Sequence, residues 1–254
     1  MEPPAAARYR WRMADLALAS SASRPGRIVF AAAIAGIAAQ NLVYRDFLVG
    51  FQPAPSGLPL RAVFAVIAGA VGLAAAAGIA TGRNVVGGAR LQLALLAVLG
   101  VAFHVPLLVA HPTSGGAWAV ACEVVALSGI AAMLALPASQ AGRIVFAASL
   151  PLFGLFHFLY LDYIVSVIPG WIPGHTFFAI ATGVALIAAG ASLLSGVRAR
   201  LTAILTTVMF GSWVVLLHIP RMLERRHADE WTSMFIATAM CGGAWLLVDA
   251  HRDR

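Results

Sequence analysis

The chain has 254 residues, of which 61% are apolar and 11% are charged, and its mean hydropathy is +0.89. A soluble domain needs a charged exterior around its core, so this composition excludes an ordinary soluble enzyme and indicates a protein whose solvent is largely lipid. The net charge of +7 does not indicate nucleic-acid binding, because the arginines lie at the ends of apolar segments rather than in one basic patch.

The N-terminal segment, residues 1–26, precedes the first apolar stretch. Tyr9, Met13 and Leu16 recur at helical spacing among three arginines, which favours a short interfacial helix on the cytoplasmic membrane surface. A disordered basic tail is the alternative, and the sequence leaves both interpretations open.

Eight later segments reach the length of about 20 apolar residues that a membrane-spanning helix needs. Each must be helical, because the backbone groups find no water to bond inside a bilayer. We therefore predict an all-α, polytopic membrane protein. The predicted spans are 28–44, 60–81, 91–110, 117–136, 144–161, 176–196, 201–219 and 231–248.

Arginines are divided unequally between the two ends of these spans. Twelve lie at the end that also carries both termini and five lie at the other, out of the 17 basic residues of the chain. Cytoplasmic loops carry the excess of positive charge, so both termini are predicted to be cytoplasmic. The predicted location is a bacterial inner membrane, with the histidine-rich end of the spans facing the periplasm.

One heptapeptide, Gly-Arg-Ile-Val-Phe-Ala-Ala, begins at Gly26 and occurs again from Gly142. Four spans follow each copy, so both copies are predicted to insert in the same direction, as a parallel repeat of two four-helix bundles over 27–136 and 137–254. The later matched pairs are Asn41 with His157, Tyr44 with Tyr160, Asp46 with Asp162, His104 with His218, Trp118 with Trp231 and Gly129 with Gly242.

The repeated unit resembles the DoxX-like membrane proteins, whose four-helix unit opens with an Arg-Ile/Leu-Val/Leu-Phe stretch. Residues 27–30 and 143–146 match that opening, and a Pro/Gly-rich loop follows the first helix of each copy. The resemblance implies a tandem DoxX-like fold and, from relatives in quinone-linked thiosulfate oxidation, redox work near the quinone pool. Neither second helix has the acidic residue that many family members carry there.

Ionisable residues inside membrane spans are costly and are therefore candidate functional residues. Seven polar residues lie toward the predicted periplasmic end and predict a polar pocket that is open to that side. Glu123 is expected in the outer third of the fourth helix, with Arg221 or a histidine as its partner. The candidate set is His104, Glu123, His157, Tyr160, Asp162, His218 and Arg221.

Each candidate also has a structural interpretation. His104 and His218 each stand two residues before a proline, so their imidazoles could bond the backbone carbonyl that the proline leaves free. Tyr160 and Asp162 could serve only as anchors at the membrane interface. Glu123 could belong to a structural ion pair rather than a functional one.

Three functions compete. The first is a redox protein or subunit that handles a quinone or a thiol-linked ligand, with a redox partner protein, where histidine and carboxylate side chains move protons. The second is haem ligation by His104 and His218, which is disfavoured because both lie near the membrane surface and no second matched pair exists. The third is a non-catalytic accessory or scaffolding subunit, or a small-molecule carrier.

Other cofactors and reaction classes have no motif in the chain. Cys122 and Cys241 do not occupy matching positions, so neither a disulfide nor a metal site is predicted. The sequence contains no nucleotide-binding glycine loop, nucleophile elbow, HExxH or CxxC. Whether the protein catalyses a reaction stays open at this point.

Overall fold

The computed structural model describes residues 24–225 and 227–250, which form helices and connecting loops without any β-strand. The predicted interfacial helix near Tyr9 lies outside the described residues. In chain order the helices are α1 (Arg24–Tyr44), α2 (Arg61–Thr81), α3 (Val85–Ala110), α4 (Gly115–Ala135), α5 (Ala141–Leu159), α6 (Leu161–Val167), α7 (His175–Ser195), α8 (Ala199–Arg225) and α9 (Ala228–Ala250).

Eight of these helices, all except the short α6, are long and apolar enough to cross a bilayer. Their lengths run from 19 residues in α5 to 27 in α8, and a helix of about 20 residues spans the roughly 30 Å hydrocarbon layer. The prediction of an all-helical, polytopic membrane protein is confirmed. The chain is an integral membrane protein.

Two helices extend well beyond their predicted bounds. Helix α3 begins at Val85 rather than at residue 91, and α8 continues to Arg225 rather than ending at residue 219. In α8 the predicted span ended just before Pro220, a residue type that normally interrupts a helix. The chain continues in helical form through that proline.

A π-helical turn explains how both helices pass their prolines. The turns cover Gly100–His104 in α3 and Val214–His218 in α8. The N–H groups that precede the prolines, those of Val105 and Ile219, reach back five residues to the carbonyls of Gly100 and Val214. The wider turn lets the helix run on past a residue that has no N–H to donate.

The spans pack in chain order, with one less extensive contact between α7 and α8. In addition, α9 packs along α1, which brings the last span back to the first. Helix α9 also touches α4. The opening helix of each half therefore packs against the closing helix of the other half, α1 on α9 and α5 on α4.

Glycine pairs make both of these contacts close. A Cβ atom on Gly242 of α9 would lie 2.6 Å from the Phe30 nitrogen, and one on Gly129 of α4 would lie 2.6 Å from the Phe146 nitrogen. Phe30 and Phe146 have no exposed surface. Small residues let membrane helices approach this closely, so the repeated heptapeptide supplies a packing surface.

The connections 45–60, 111–114 and 160–174, the last of which contains α6, lie at one end of the molecule together with His227. We call it the histidine end, since His104, His157, His175 and His218 lie in it or beside it. In both halves, the first residue of the following span holds the long loop. Arg61 Nη1 donates to the Pro55 carbonyl at 2.9 Å, and His175 Nε2 donates to the Pro169 carbonyl at 3.1 Å.

Candidate functional site

The main charged cluster at the histidine end joins α8 to α9. His218, Arg221 and Arg225 are spaced three and four residues apart, so they share one face of α8. Glu230 Oε1 on α9 accepts hydrogen bonds from Arg221 Nη2 at 2.9 Å and Arg225 Nη1 at 3.2 Å. We name these four residues the α8–α9 cluster.

Glu230 is the residue that sequence reasoning missed. Glutamate is rarely buried unless it is paired, and Glu230 was not among the candidate residues. Its side chain is only 4% exposed, against 19% for Arg221 and 55% for Arg225. The signal was available: two arginines four residues apart at the end of one span stand just before this carboxylate in the next.

His218 is half-buried in the same cluster. Its Nδ1 is buried and has no hydrogen-bond partner among the described residues. The predicted bond from this imidazole to a carbonyl freed by proline is absent there. The π-helical turn, rather than the histidine, accommodates the proline.

His104 occupies the corresponding position in α3 but has different surroundings. The residue is only 3% exposed, and neither ring nitrogen completes a hydrogen bond within the described part of the chain. Its imidazole approaches the backbone of Phe51. Next to it, the rings of Phe47 and Phe103 meet edge to face at 4.9 Å. His104 is thus enclosed by the apolar packing of the first half.

The face of α3 that matches the α8–α9 cluster carries no permanent charge. At the spacing of His218, Arg221 and Arg225, it presents His104, Leu107 and His111. Ala117 stands at the place of Glu230 in the following helix. Only the second half therefore combines its histidine with arginines and a buried carboxylate.

The first half has a neutral polar pair instead. Asn41 Nδ2 donates to Gln52 Oε1 at 2.7 Å, and Gln52 Nε2 returns a bond to Asn41 Oδ1 at 3.3 Å. Both residues are buried. The pair joins α1 to the loop that follows it. Beside this pair, Arg61 Nε donates a hydrogen bond to Asp46 Oδ1 at 2.5 Å.

His157 replaces Asn41 in the second half. Its Nδ1 lies 2.9 Å from the Phe153 carbonyl. A carbonyl can only accept, so Nδ1 carries the proton and Nε2 is left as an acceptor in the neutral ring. The imidazole packs against Gly183 of α7, where a Cβ would lie 2.9 Å from the His157 Cβ, and against Trp213 of α8, at 6.3 Å between ring centroids.

His157 therefore lies where α7 and α8 meet, and these two helices make a far less extensive contact than α2 and α3 do. A glycine explains the closeness in the first half, because a Cβ on Gly88 would lie 2.6 Å from the Ala75 carbonyl. In the second half Thr202 stands at that place and bonds Ser192 at 2.6 Å. We name His157, Gly183, Phe210 and Trp213 the α7–α8 seam.

Tyr160 and Asp162 lie outside both groups. The Tyr160 ring lies against Gly115 at the start of α4, where a Cβ would meet the phenol oxygen at 2.2 Å. Asp162 is exposed in the first turn of α6 and makes no hydrogen bond with the described residues. These surroundings agree with the interpretation of both residues as anchors at the membrane interface.

Glu123 stands apart from every other candidate. It is the ninth residue of α4, about 12 Å from the start of the helix, which places it nearer the middle of the span than the predicted outer third. Its Oε2 is buried without a partner among the described residues. The prediction that Arg221 is its partner is wrong, because Arg221 binds Glu230, and the histidine alternative makes no bond to Oε2 among the described residues.

The other possible sites hold none of the candidates. Within the described residues, no three His, Cys, Asp or Glu side chains gather at metal-binding distance. A cavity of about 290 Å³ lies at the opposite end of the molecule, lined by residues 82–86 together with Met133, Leu134 and Pro137. Cys122 and Cys241 are free thiols.

No family model, no curated protein and no solved structure matches the chain.

Proposed function

We propose that this integral membrane protein is a tandem DoxX-like redox protein that binds a membrane quinone at the α7–α8 seam. The observation that carries this is the less extensive α7–α8 contact with a histidine and a tryptophan in it. The repeated Gly-Arg-Ile-Val-Phe stretch and its two matched glycine contacts support the tandem arrangement.

The chemistry of the seam suits an aromatic ligand that arrives through lipid. Trp213 and Phe210 meet edge to face at 5.1 Å, and such ring surfaces bind flat conjugated rings by stacking. The flanks of α7 and α8 are apolar and exposed, at Val184, Ile187, Leu205 and Val208. A quinone, which is dissolved in the hydrocarbon layer, can reach the seam from that side.

His157 is the proton partner in this proposal. Because Phe153 holds the proton on Nδ1, Nε2 accepts a hydrogen bond from a quinol hydroxyl and can take its proton. In the reverse direction the protonated ring donates to a quinone carbonyl. Reduction needs two electrons and two protons, which two thiols of a partner protein supply as they form a disulfide: 2 RSH + quinone gives RSSR + quinol.

We also propose the bacterial inner membrane as the location, with both termini cytoplasmic and the histidine end periplasmic. The distribution of arginines supports this orientation. Ser139 is exposed in the loop at the opposite end. A Ser139→Cys variant should react with a membrane-impermeant maleimide only in opened cells. Labelling in intact cells would show that the orientation is the opposite of the one proposed.

The quinone proposal is tested by extracting quinone from protein purified in a mild detergent. We expect wild type to retain quinone and both Trp213→Leu and His157→Gln to lose most of it. His111→Gln changes an exposed histidine at the same end and is the matched control. Equal retention by Trp213→Leu and wild type would refute binding at the seam.

An accessory role is the second candidate. Helices α8 and α3 are the least buried spans, with 17% and 22% of their most apolar windows buried, so they offer faces on which another membrane subunit could pack. Wild-type protein that carries no quinone but co-purifies with a stoichiometric membrane partner would favour this role. A haem is not proposed, because His104 and His218 lie in unlike surroundings.

A further inference from the structure

The α8–α9 cluster has buried side-chain nitrogen atoms that its own residues leave without a partner. Arg221 Nε and His218 Nδ1 are buried and have no hydrogen-bond partner among the described residues. Arg221 also donates from Nη1 to the Val167 carbonyl at 3.5 Å, and Arg225, whose side chain is 55% exposed, uses Nη1 for Glu230. Unmet buried donors are uncommon in folded proteins, so a ligand that accepts several hydrogen bonds would complete this cluster.

The charges of the cluster favour an anion. Two guanidinium groups surround one carboxylate, which leaves one positive charge. Two other nearby carboxylates, Glu224 and Asp229, would outweigh this surplus if they were buried, but both are exposed to solvent, where water and salt screen their charge. Asp229 lies beside Gly50 in a loop of the first half. Glu230 holds both arginines in place, so their free N–H groups are preorganised for a ligand.

The position of the cluster favours a lipid as the source of that anion. It occupies the last turns of α8 and the first turn of α9, at the depth where a bilayer has its headgroups. Helix α8 is the least buried span, and it exposes apolar side chains such as Val208 and Val215 along its length. An anionic lipid in the adjacent leaflet carries its phosphate at this same depth.

We propose that Arg221 and Arg225, held by Glu230, form a phosphate-binding site for the headgroup of an anionic phospholipid. Guanidinium groups bind phosphate oxygens through paired, charge-assisted hydrogen bonds. His218 lies three residues before Arg221 on the same face and lines one side of the site with a polar ring. The site is separate from the α7–α8 seam and does not depend on quinone binding.

The test is native mass spectrometry of the full-length protein, titrated with phosphatidylglycerol and, separately, with phosphatidylcholine. We expect wild type to prefer phosphatidylglycerol and Arg225→Gln to bind it about tenfold more weakly, the loss of one charge-assisted hydrogen bond. Arg225→Lys keeps the charge and should lose less. Arg200→Gln removes an exposed arginine at the opposite end and should bind like wild type.

A second arm separates lipid from free phosphate. Excess inorganic phosphate should leave phosphatidylglycerol binding unchanged if the lipid headgroup is the ligand. If phosphate displaces the lipid from wild type but not from Arg225→Gln, the ligand is a free phosphate. Equal phosphatidylglycerol binding by wild type, Arg225→Gln and Arg225→Lys would overturn the proposal, and size-exclusion profiles establish that each variant is folded.

Discussion

The first and second halves of the chain share a backbone plan and differ in the polar residues placed on it. Both have a close glycine contact at the opening helix and a π-helical turn that ends in a histidine. In both, the first residue of the next span also donates a hydrogen bond to a proline carbonyl of the preceding loop. The first half encloses its histidine and pairs Asn41 with Gln52. The second half has the charged α8–α9 cluster and the less closely packed α7–α8 seam. The shared features are packing contacts and helix turns, and the two halves differ in their buried polar and charged groups.

The largest expected effect comes from removing the carboxylate of that charged cluster. Glu230→Ala should lower the free energy of unfolding by about 3 kcal/mol or more, because it leaves Arg221 buried without its counter-charge. Asp229→Ala removes an exposed neighbour and is the control. Tryptophan fluorescence during unfolding in detergent measures both. Similar values for the two variants would mean that the Glu230 pair does not stabilise the second half.

The glycine contacts test whether the two halves pack alike. Gly242→Ala and Gly129→Ala should each destabilise the protein by about 2 kcal/mol, because the added Cβ meets backbone atoms that cannot move aside. Gly211→Ala is the control, since its Cβ would lie 3.6 Å from the Cys241 sulfur. The same unfolding assay applies. A loss at only one of the two glycines would contradict equivalent packing.

The matched pair Asn41 and His157 compares the two polar designs directly. Asn41→Leu should cost about 2 kcal/mol, because Gln52 stays buried without its partner. His157→Leu should lower the free energy of unfolding by less than about 1 kcal/mol, because the Phe153 carbonyl loses its bond to the imidazole but still lies within a helix. Thermal melting of both variants measures the difference. The reverse order would assign His157 a structural role and weaken the quinone proposal.

The smallest effect is expected at Glu123. Glu123→Gln should change the free energy of unfolding by no more than about 0.5 kcal/mol, because the carboxyl has no cationic partner among the described residues. Glu230→Gln, which keeps the same shape at a paired position, provides the contrast. A large loss of unfolding free energy for Glu123→Gln in the same assay would show that the carboxyl has a stabilising partner in the folded protein.

The sequence was sufficient for features that depend only on local composition. Eight apolar segments of spanning length must become helices in lipid, whatever their neighbours are, and that prediction is confirmed. The matched histidines, glycines and prolines were also visible as letters. The early start of α3 and the late end of α8 were not predicted. In α8 the helix continues because a π-helical turn carries it past Pro220.

Tertiary structure decided which polar residues became partners. Glu230 is buried and paired because α9 places it against two arginines of α8, whereas the buried Oε2 of Glu123 has no partner among the described residues. Helices α7 and α8 make a less extensive contact than α2 and α3 do, and Thr202 stands at the position of Gly88. Partner choice and helix separation depend on which side chains meet across helices, and one-dimensional spacing does not contain that information.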